Sequence, residues 1–342
     1  MLSNHASRAS TPAFMPVVPG LHVLRDVFVN LYYVSAEPTQ PLGPWVLVDT
    51  GLAGSASKIK QHAAIFGVDN PPAAIVLTHA HFDHAGSLEA LLELWPGVPV
   101  YAHPLELPYL TGRSSYPPPD PTVGGGLMAY LSFAYPKHPY NLGSRVQPLP
   151  ADGSVPGLPG WRWLHTPGHT PGHVSFFREA DKVLVAGDAF TTVKGESALA
   201  TISQIQAVHG PPAYFTPDWD AARVSVAELL SLVPEVAATG HGIAMHGEQL
   251  RTELAYLAVH FNNLVRPKIG RYAHQSAVAD ADGVRSVPPP LVRPWVKGLA
   301  AASMLLGIIG LLASSKKGQK RSGKTYRAWY RDKPARPIPY RQ

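Results

Sequence analysis

The chain has 342 residues, enough for one large domain with an appendage or for two domains. It has no cysteine, which excludes disulfides, a thiolate nucleophile and any Cys-ligated metal, and so leaves the compartment open. The net charge of +6 belongs to the C-terminus: residues 314–342 hold ten Lys/Arg and one Asp, a balance of +9, and the first 313 residues are left at −3. A high overall pI therefore says nothing about what the remainder binds.

Residues 1–15 are small and polar, without an apolar stretch long enough for a secretory signal. Alternation from Leu21 to Val34 predicts a hairpin, and Trp45 to Asp49 a strand that ends on a carboxylate. Residues 55–66 read as a helix. Ile75 to Leu77 is a short apolar run that empties into His79-Ala-His81-Phe-Asp83-His84, three imidazoles and one carboxylate in six residues. A helix follows, with Leu88, Leu91, Leu92 and Trp95 on its inner side. Neutral imidazole and carboxylate are the usual ligands of zinc and related divalent ions. Neither packing nor solubility calls for four such groups on one tight loop.

After a strand at Val98–Ala102, residues 104–150 break the rhythm. Pro117 to Pro119 and Gly124 to Gly126 flank a stretch with Tyr109, Tyr116, Tyr130, Phe133, Tyr135 and Tyr140. It reads either as an aromatic lid near the histidine loop or as a surface insertion packed on itself. Strands are expected at Trp161–Leu164, Val174–Phe177, Val183–Ala186 and Val236–Thr239, with a helix over 217–233. After Gly247, the stripe Leu250, Leu254, Leu257, Phe261 and Leu264 predicts a helix with one buried face. Alternating strands and helices imply stacked layers.

Residues 1–275 are thus expected to form one catalytic domain, 276–298 a Pro-rich linker, 299–313 an apolar helix and 314–342 a basic tail. Fifteen residues from Leu299 to Ala313 span only about 22 Å as a helix, short of the roughly 30 Å hydrocarbon core. With Lys/Arg on the following flank, the expectation is a cytoplasmic protein with peripheral membrane contact through its C-terminus; a protein groove is the alternative. The oligomeric state stays open.

Five motifs, in order over about residues 15 to 265, resemble the metallo-β-lactamase superfamily. They are Val48-Asp49-Thr50-Gly51, the His79-x-His81-x-Asp83-His84 loop, Gly168-His169-Thr-Pro-Gly-His173, Gly187-Asp188 and Thr239-Gly240-His241-Gly242. The resemblance implies an α/β fold, a four-layer αβ/βα sandwich with two divalent metal ions at one edge between its sheets. It implies Zn2+, with Fe or Mn as alternatives. By family pattern His79, His81 and His169 hold the first ion, Asp83, His84 and His241 the second, and Asp188 bridges them. Asp49 looks like a group that orients a ligand histidine. The implied reaction is hydrolysis by a metal-bridging hydroxide, with Asp83 also serving as the catalytic proton carrier.

The Thr-Pro-Gly-His-Thr-Pro-Gly-His wording is similar to the glyoxalase II and lactonase-like branch, which implies a small-molecule acyl substrate: a thioester, lactone or ester. Where lactonases acting on acyl-homoserine lactones place a tyrosine, this chain has Thr191. A phosphodiesterase or RNase of the same superfamily is the alternative, although the net-acidic catalytic part argues against nucleic acid. A binding protein on an inactive scaffold is disfavoured by the complete ligand set. His165, His173 and His246 read as structural, because the ligand count is already full.

Overall fold

Strands whose side chains are apolar on both faces must be covered on both sides, and that requirement builds this molecule. The structure, a computed structural model, describes residues 14–40 and 42–291. Strands β1 (Phe14–Val18), β2 (Leu21–Asp26), β3 (Val29–Ser35), β4 (Trp45–Val48), β5 (Ala74–Val76), β6 (Val100–Ala102) and β7 (Val146–Pro148) form a sheet in sequence order. A second sheet holds β8 (Ser154–Val155), β9 (Leu158–His165), β10 (Val174–Arg178), β11 (Val183–Gly187), β12 (Val236–Thr239) and β13 (Met245–His246), also in sequence order.

Alternation along each strand separates three apolar layers. On β3 and β4, Tyr32, Val34, Val46 and Val48 face the core between the sheets, where Val174, Phe176, Val183 and Val185 of the second sheet meet them. Leu31, Tyr33, Trp45 and Leu47 face outward onto the helices Ala56–Ala63 and Leu88–Leu94, through Ile59, Leu88 and Leu91. On the far side, Phe177, Leu184 and Ala186 pack against Trp219 and Val226 of helix Trp219–Ser231 and against Leu250, Leu254 and Phe261 of helix Gly247–Leu264. Helix, sheet, sheet, helix: the four-layer αβ/βα sandwich is observed.

Four strand ends matter for chemistry. β4 runs parallel to β5, and β11 parallel to β12, so each pair empties its C-terminal loops at the same edge. Asp49 and His79 follow the first pair; Asp188 and His241 follow the second. Such carboxyl ends are where open α/β sheets place their sites.

Three expectations change. The polar N-terminal stretch hides an edge strand, Phe14–Val18, whose Phe14 ring packs between His22 and His62. Residues 104–150 carry short helices at Leu107–Leu110 and Leu127–Leu131 and the edge strand Val146–Pro148. The expected linker over 276–298 is not one over its described part. Residues 276–291 contain a hairpin, β14 (Val278–Asp280) and β15 (Gly283–Ser286), sewn to the domain by Ala277 N to Pro217 O and Val284 N to Ser114 Oγ. The physical reason is backbone pairing, which short polar stretches achieve without an apolar signal. The apolar run 299–313 and the basic tail lie outside the described residues. Among the described residues, no helix is long and apolar enough to cross a membrane.

Candidate metal centre

The first sheet supplies its groups on one loop. Between β5 and helix Leu88–Leu94, the chain turns tightly, with Ala85 N and His84 N both bonded to His81 O at 2.9 Å. This directs His79, His81, Asp83 and His84 into one space, all of them buried. Asp49 stands beneath with a left-handed backbone, φ 62°, a conformation that Asp tolerates better than most residues. Its Oδ1 accepts Thr78 N, and its Oδ2 accepts Thr78 Oγ1 and His84 Nδ1, each at 2.8 Å. His84 therefore carries its proton on Nδ1 and turns Nε2 toward the site.

The second sheet supplies three groups from three separate loops. His169 follows β9, Asp188 follows β11 and His241 follows β12. His241 donates Nδ1–H to Phe28 O at 2.9 Å, which leaves its Nε2 3.1 Å from Asp188 Oδ2 and 3.6 Å from Asp83 Oδ2. Asp188 Oδ2 also lies 3.4 Å from His169 Nε2 and 3.6 Å from His84 Nε2. One carboxylate oxygen thus faces three imidazoles. Gly240 makes this approach possible, since a Cβ there would collide with the Asp188 carboxylate.

All seven residues singled out in the sequence come together, in three overlapping groups whose ligand atoms lie within 4.8 Å of one another. These are His79, His81 and His169; His79, His84 and Asp188; and Asp83, His84 and His241. A metal fits this set on a second ground. His79 Nε2, His84 Nε2 and Asp188 Oδ1 are buried with no hydrogen-bond partner, and a buried lone pair without a partner is costly unless a cation takes it.

Electrostatics divide the cluster. Burial drives His79 and His169 well below their ordinary range and His81 down to about 3, which keeps these rings neutral, the form in which imidazole can take a metal. Burial also opposes protonation of His84 and His241, but Asp188, Asp49 and Asp83 around His84, and Asp188 and Asp83 around His241, outweigh it and push both up. For Asp188, the two imidazoles outweigh burial and hold the carboxyl well below its usual range. Asp83 goes the other way: burial raises it, and His84 and His241 offset only part of that.

The metallo-beta-lactamase superfamily profile matches residues 24–241, which span every one of these groups. The chain belongs to that superfamily. It is 48% identical over 240 residues to the probable metallo-hydrolase YflN of Bacillus subtilis (strain 168), covering 70% of this chain and 90% of that one. To a hydroxyacylglutathione hydrolase of Xylella fastidiosa (strain M23) it is 30% identical over 150 residues, 43% of this chain and 42% of the other. A crystal structure of TTHA1623 in a di-iron-bound form is 31% identical, with a TM-score of 0.42 over 69% of this chain and 95% of that one. This is a metal-dependent hydrolase, and it carries a buried His/Asp cluster that could hold divalent metal.

Of the three further histidines singled out in the sequence, His173 and His165 have structural partners. His173 Nε2 accepts Asp188 N at 2.9 Å, and its Nδ1 faces Thr166 Oγ1 at 2.9 Å. His165 stacks on His103 at 4.2 Å with Nε2 on Pro171 O. His246 is exposed beside helix Gly247–Leu264. Thr191, in place of the lactonase tyrosine, is buried and donates its hydroxyl to Val193 O.

The aromatic stretch does reach the site. Tyr116 lies 4.5 Å from the His81 ring, and Tyr135 packs on Phe82 at 5.6 Å and on Phe215 at 5.9 Å, while Phe215 stacks on His81 at 4.4 Å. Tyr130, by contrast, is exposed. Asn30 and Glu106 escaped the sequence reading. Asn30 Nδ2 donates to Thr239 O at 2.9 Å and Gly242 O at 2.7 Å, tying the first sheet to the loop that carries His241. Neither residue stands in a motif; a lone polar residue in an apolar strand is the only signal Asn30 offers.

Proposed function

We propose that this metallo-hydrolase cleaves an acyl bond, a thioester, lactone or ester, of a small-molecule substrate at a centre of two divalent ions, natively Zn2+. The observation that carries the reading is the seven-residue His/Asp cluster beside a wall of aromatic rings. His79, His81 and His169 would hold one ion, Asp83, His84 and His241 the other, with Asp188 between them. Bound there, the ions supply an acidified water and polarise the acyl carbonyl. Every other requirement falls on the chain. Phe215, Tyr135 and Phe82 present apolar faces beside His81, which suits an acyl chain and keeps bulk water from it. Asp83, 3.6 Å from His241 Nε2, would take a proton and return it to a departing alkoxide oxygen, which leaves poorly as an anion.

Support for the acyl class comes also from the hydroxyacylglutathione hydrolase similarity, although that match covers under half of either chain. The test uses full-length protein of measured metal content on a glutathione thioester, a γ-lactone, an aryl ester, a β-lactam and an aryl phosphodiester. Turnover of one or more of the first three at rates well above the last two is expected. Phosphodiester cleavage outrunning every acyl substrate would overturn the assignment in favour of a phosphodiesterase.

A further inference from the structure

Glu106 is fully buried, and no Lys or Arg neutralises it among its contacts. Instead, four donors converge on its carboxylate. Oε1 accepts Thr170 Oγ1 at 2.7 Å and Gly172 N at 2.9 Å; Oε2 accepts Ala80 N at 3.0 Å and the hydroxyl of Tyr116. A carboxylate offers about four lone-pair sites, so its acceptor capacity is filled. The fit is close: a Cβ on Gly172 would stand 2.8 Å from Glu106 Cγ.

The identity of the donors is what matters. Ala80 lies between His79 and His81, and the bond to its N–H fixes the His79–Ala80 peptide. Thr170 and Gly172 follow His169 on a loop of the other sheet. These three imidazoles form the one ligand group made of histidine alone, and His81 Nδ1 faces His169 Nε2 across the sheets at 3.0 Å. No hydrogen bond between their side chains and a carboxylate on the first sheet sets that spacing, as Asp49 does for His84. Burying an ion that no cation balances is costly, and a chain of this fold could fill the volume with an apolar residue. We propose that Glu106 is the positioning residue of the metal centre, its carboxylate holding the His79–His81 loop and the His169 loop at the separation one ion requires; this rests on reading those three imidazoles as ligands. Through Tyr116, the same carboxylate ties the aromatic segment to the ligand loop.

Glutamine at this position keeps the size but exchanges two acceptor sites for an NH2 group that faces other donors. The experiment is chelator-competition titration of Zn2+ into metal-stripped full-length protein, with thermal midpoints recorded on the same metal-free samples. Wild type is compared with Glu106→Gln and with Ile59→Ala, a core truncation in the helix Ala56–Ala63. Glu106→Gln should weaken one of the two Zn2+ ions by about 10- to 100-fold and leave the other within a fewfold. Ile59→Ala should lower the midpoint and leave both dissociation constants within about twofold, because its side chain offers no hydrogen bond to either loop. If Glu106→Gln behaves like Ile59→Ala, with stability lost and both constants kept, Glu106 is ordinary packing and the proposal fails. Should Glu106→Gln not fold, Thr170→Val removes a single donor and is expected to weaken the same ion several-fold; unchanged constants there overturn the proposal equally. A wild-type chain that takes up no Zn2+ overturns the ligand reading itself, which tells the two failures apart.

Discussion

The two sheets bring their candidate ligand groups to the same edge by different means. The first gives four groups from six consecutive residues, braced from below by the Asp49 carboxylate through His84 and Thr78. The second gives three groups from the ends of three strands, and their braces are a backbone carbonyl for His241 and a histidine ring for the Asp188 peptide. A local loop holds its spacing by covalent geometry; the scattered set depends on sheet register and on contacts across the seam. The first half should therefore lose ligand orientation when one side chain is removed. The second should resist more, because its braces are spread over a backbone carbonyl, the His173 ring and the Glu106 carboxylate.

Removing a ligand from either half tests whether both are needed. His81→Ala and Asp188→Ala should each abolish turnover and lose at least one equivalent of metal by elemental analysis, with circular dichroism retained. Full activity in either variant would show that one half suffices. Next in size is Asp49→Ala. It strands Thr78 N and the His84 Nδ1–H inside the protein, at about 1–3 kcal/mol for each buried group, and should weaken metal by about 10- to 100-fold. His173→Ala, the counterpart in the second half, removes the acceptor of the Asp188 N–H and the partner of Thr166 Oγ1, but no group bonded to a cluster side chain. A smaller loss of metal affinity than for Asp49→Ala is expected, and the reverse order would refute the contrast drawn between the halves.

Acid tests the seam. His103, after β6, stacks on His165 at the end of β9, and burial together with His165 lowers it to about 4 from 6.5. The folded state thus takes up this proton less readily than the unfolded chain. The contribution of neutral His103 is complete above about pH 6.5 and is lost progressively as the pH falls toward 4. His103→Gln should flatten the slope of thermal midpoint against pH in that window, measured by calorimetry. An unaltered slope would place the acid sensitivity elsewhere. The smallest effect is expected beyond both halves: deleting residues 314–342 should leave turnover of small acyl substrates near wild type, since the last ligand is His241.

Much of the site was legible because its chemistry is local. Three histidines and an aspartate over six residues need no tertiary information to stand out, and the Gly-His and Gly-Asp signatures that follow supply the rest in order. The strands around them were legible for a related reason: on a sheet buried on both faces, every residue of β3, β4, β10 and β11 is buried and most are apolar. The edge strand Phe14–Val18 and the hairpin near residue 280 were not, because an edge needs only backbone partners and its composition need not announce it.

By itself, the sequence determined which residue types could hold metal, that strands and helices stack in layers, and the place of the catalytic pattern before residue 265. Only the tertiary structure decided which of these groups stand together and how they are held. Glu106 reads as one more acid after Ala-His-Pro-Leu, and nothing in that string distinguishes a solvated carboxylate from a buried one. Its partners lie at Ala80 and Tyr116 on one side and at Thr170 and Gly172, more than sixty positions away, on the other. A hydrogen bond between loops of two sheets depends on where the folded backbone puts its N–H groups, and one-dimensional spacing does not carry that distance.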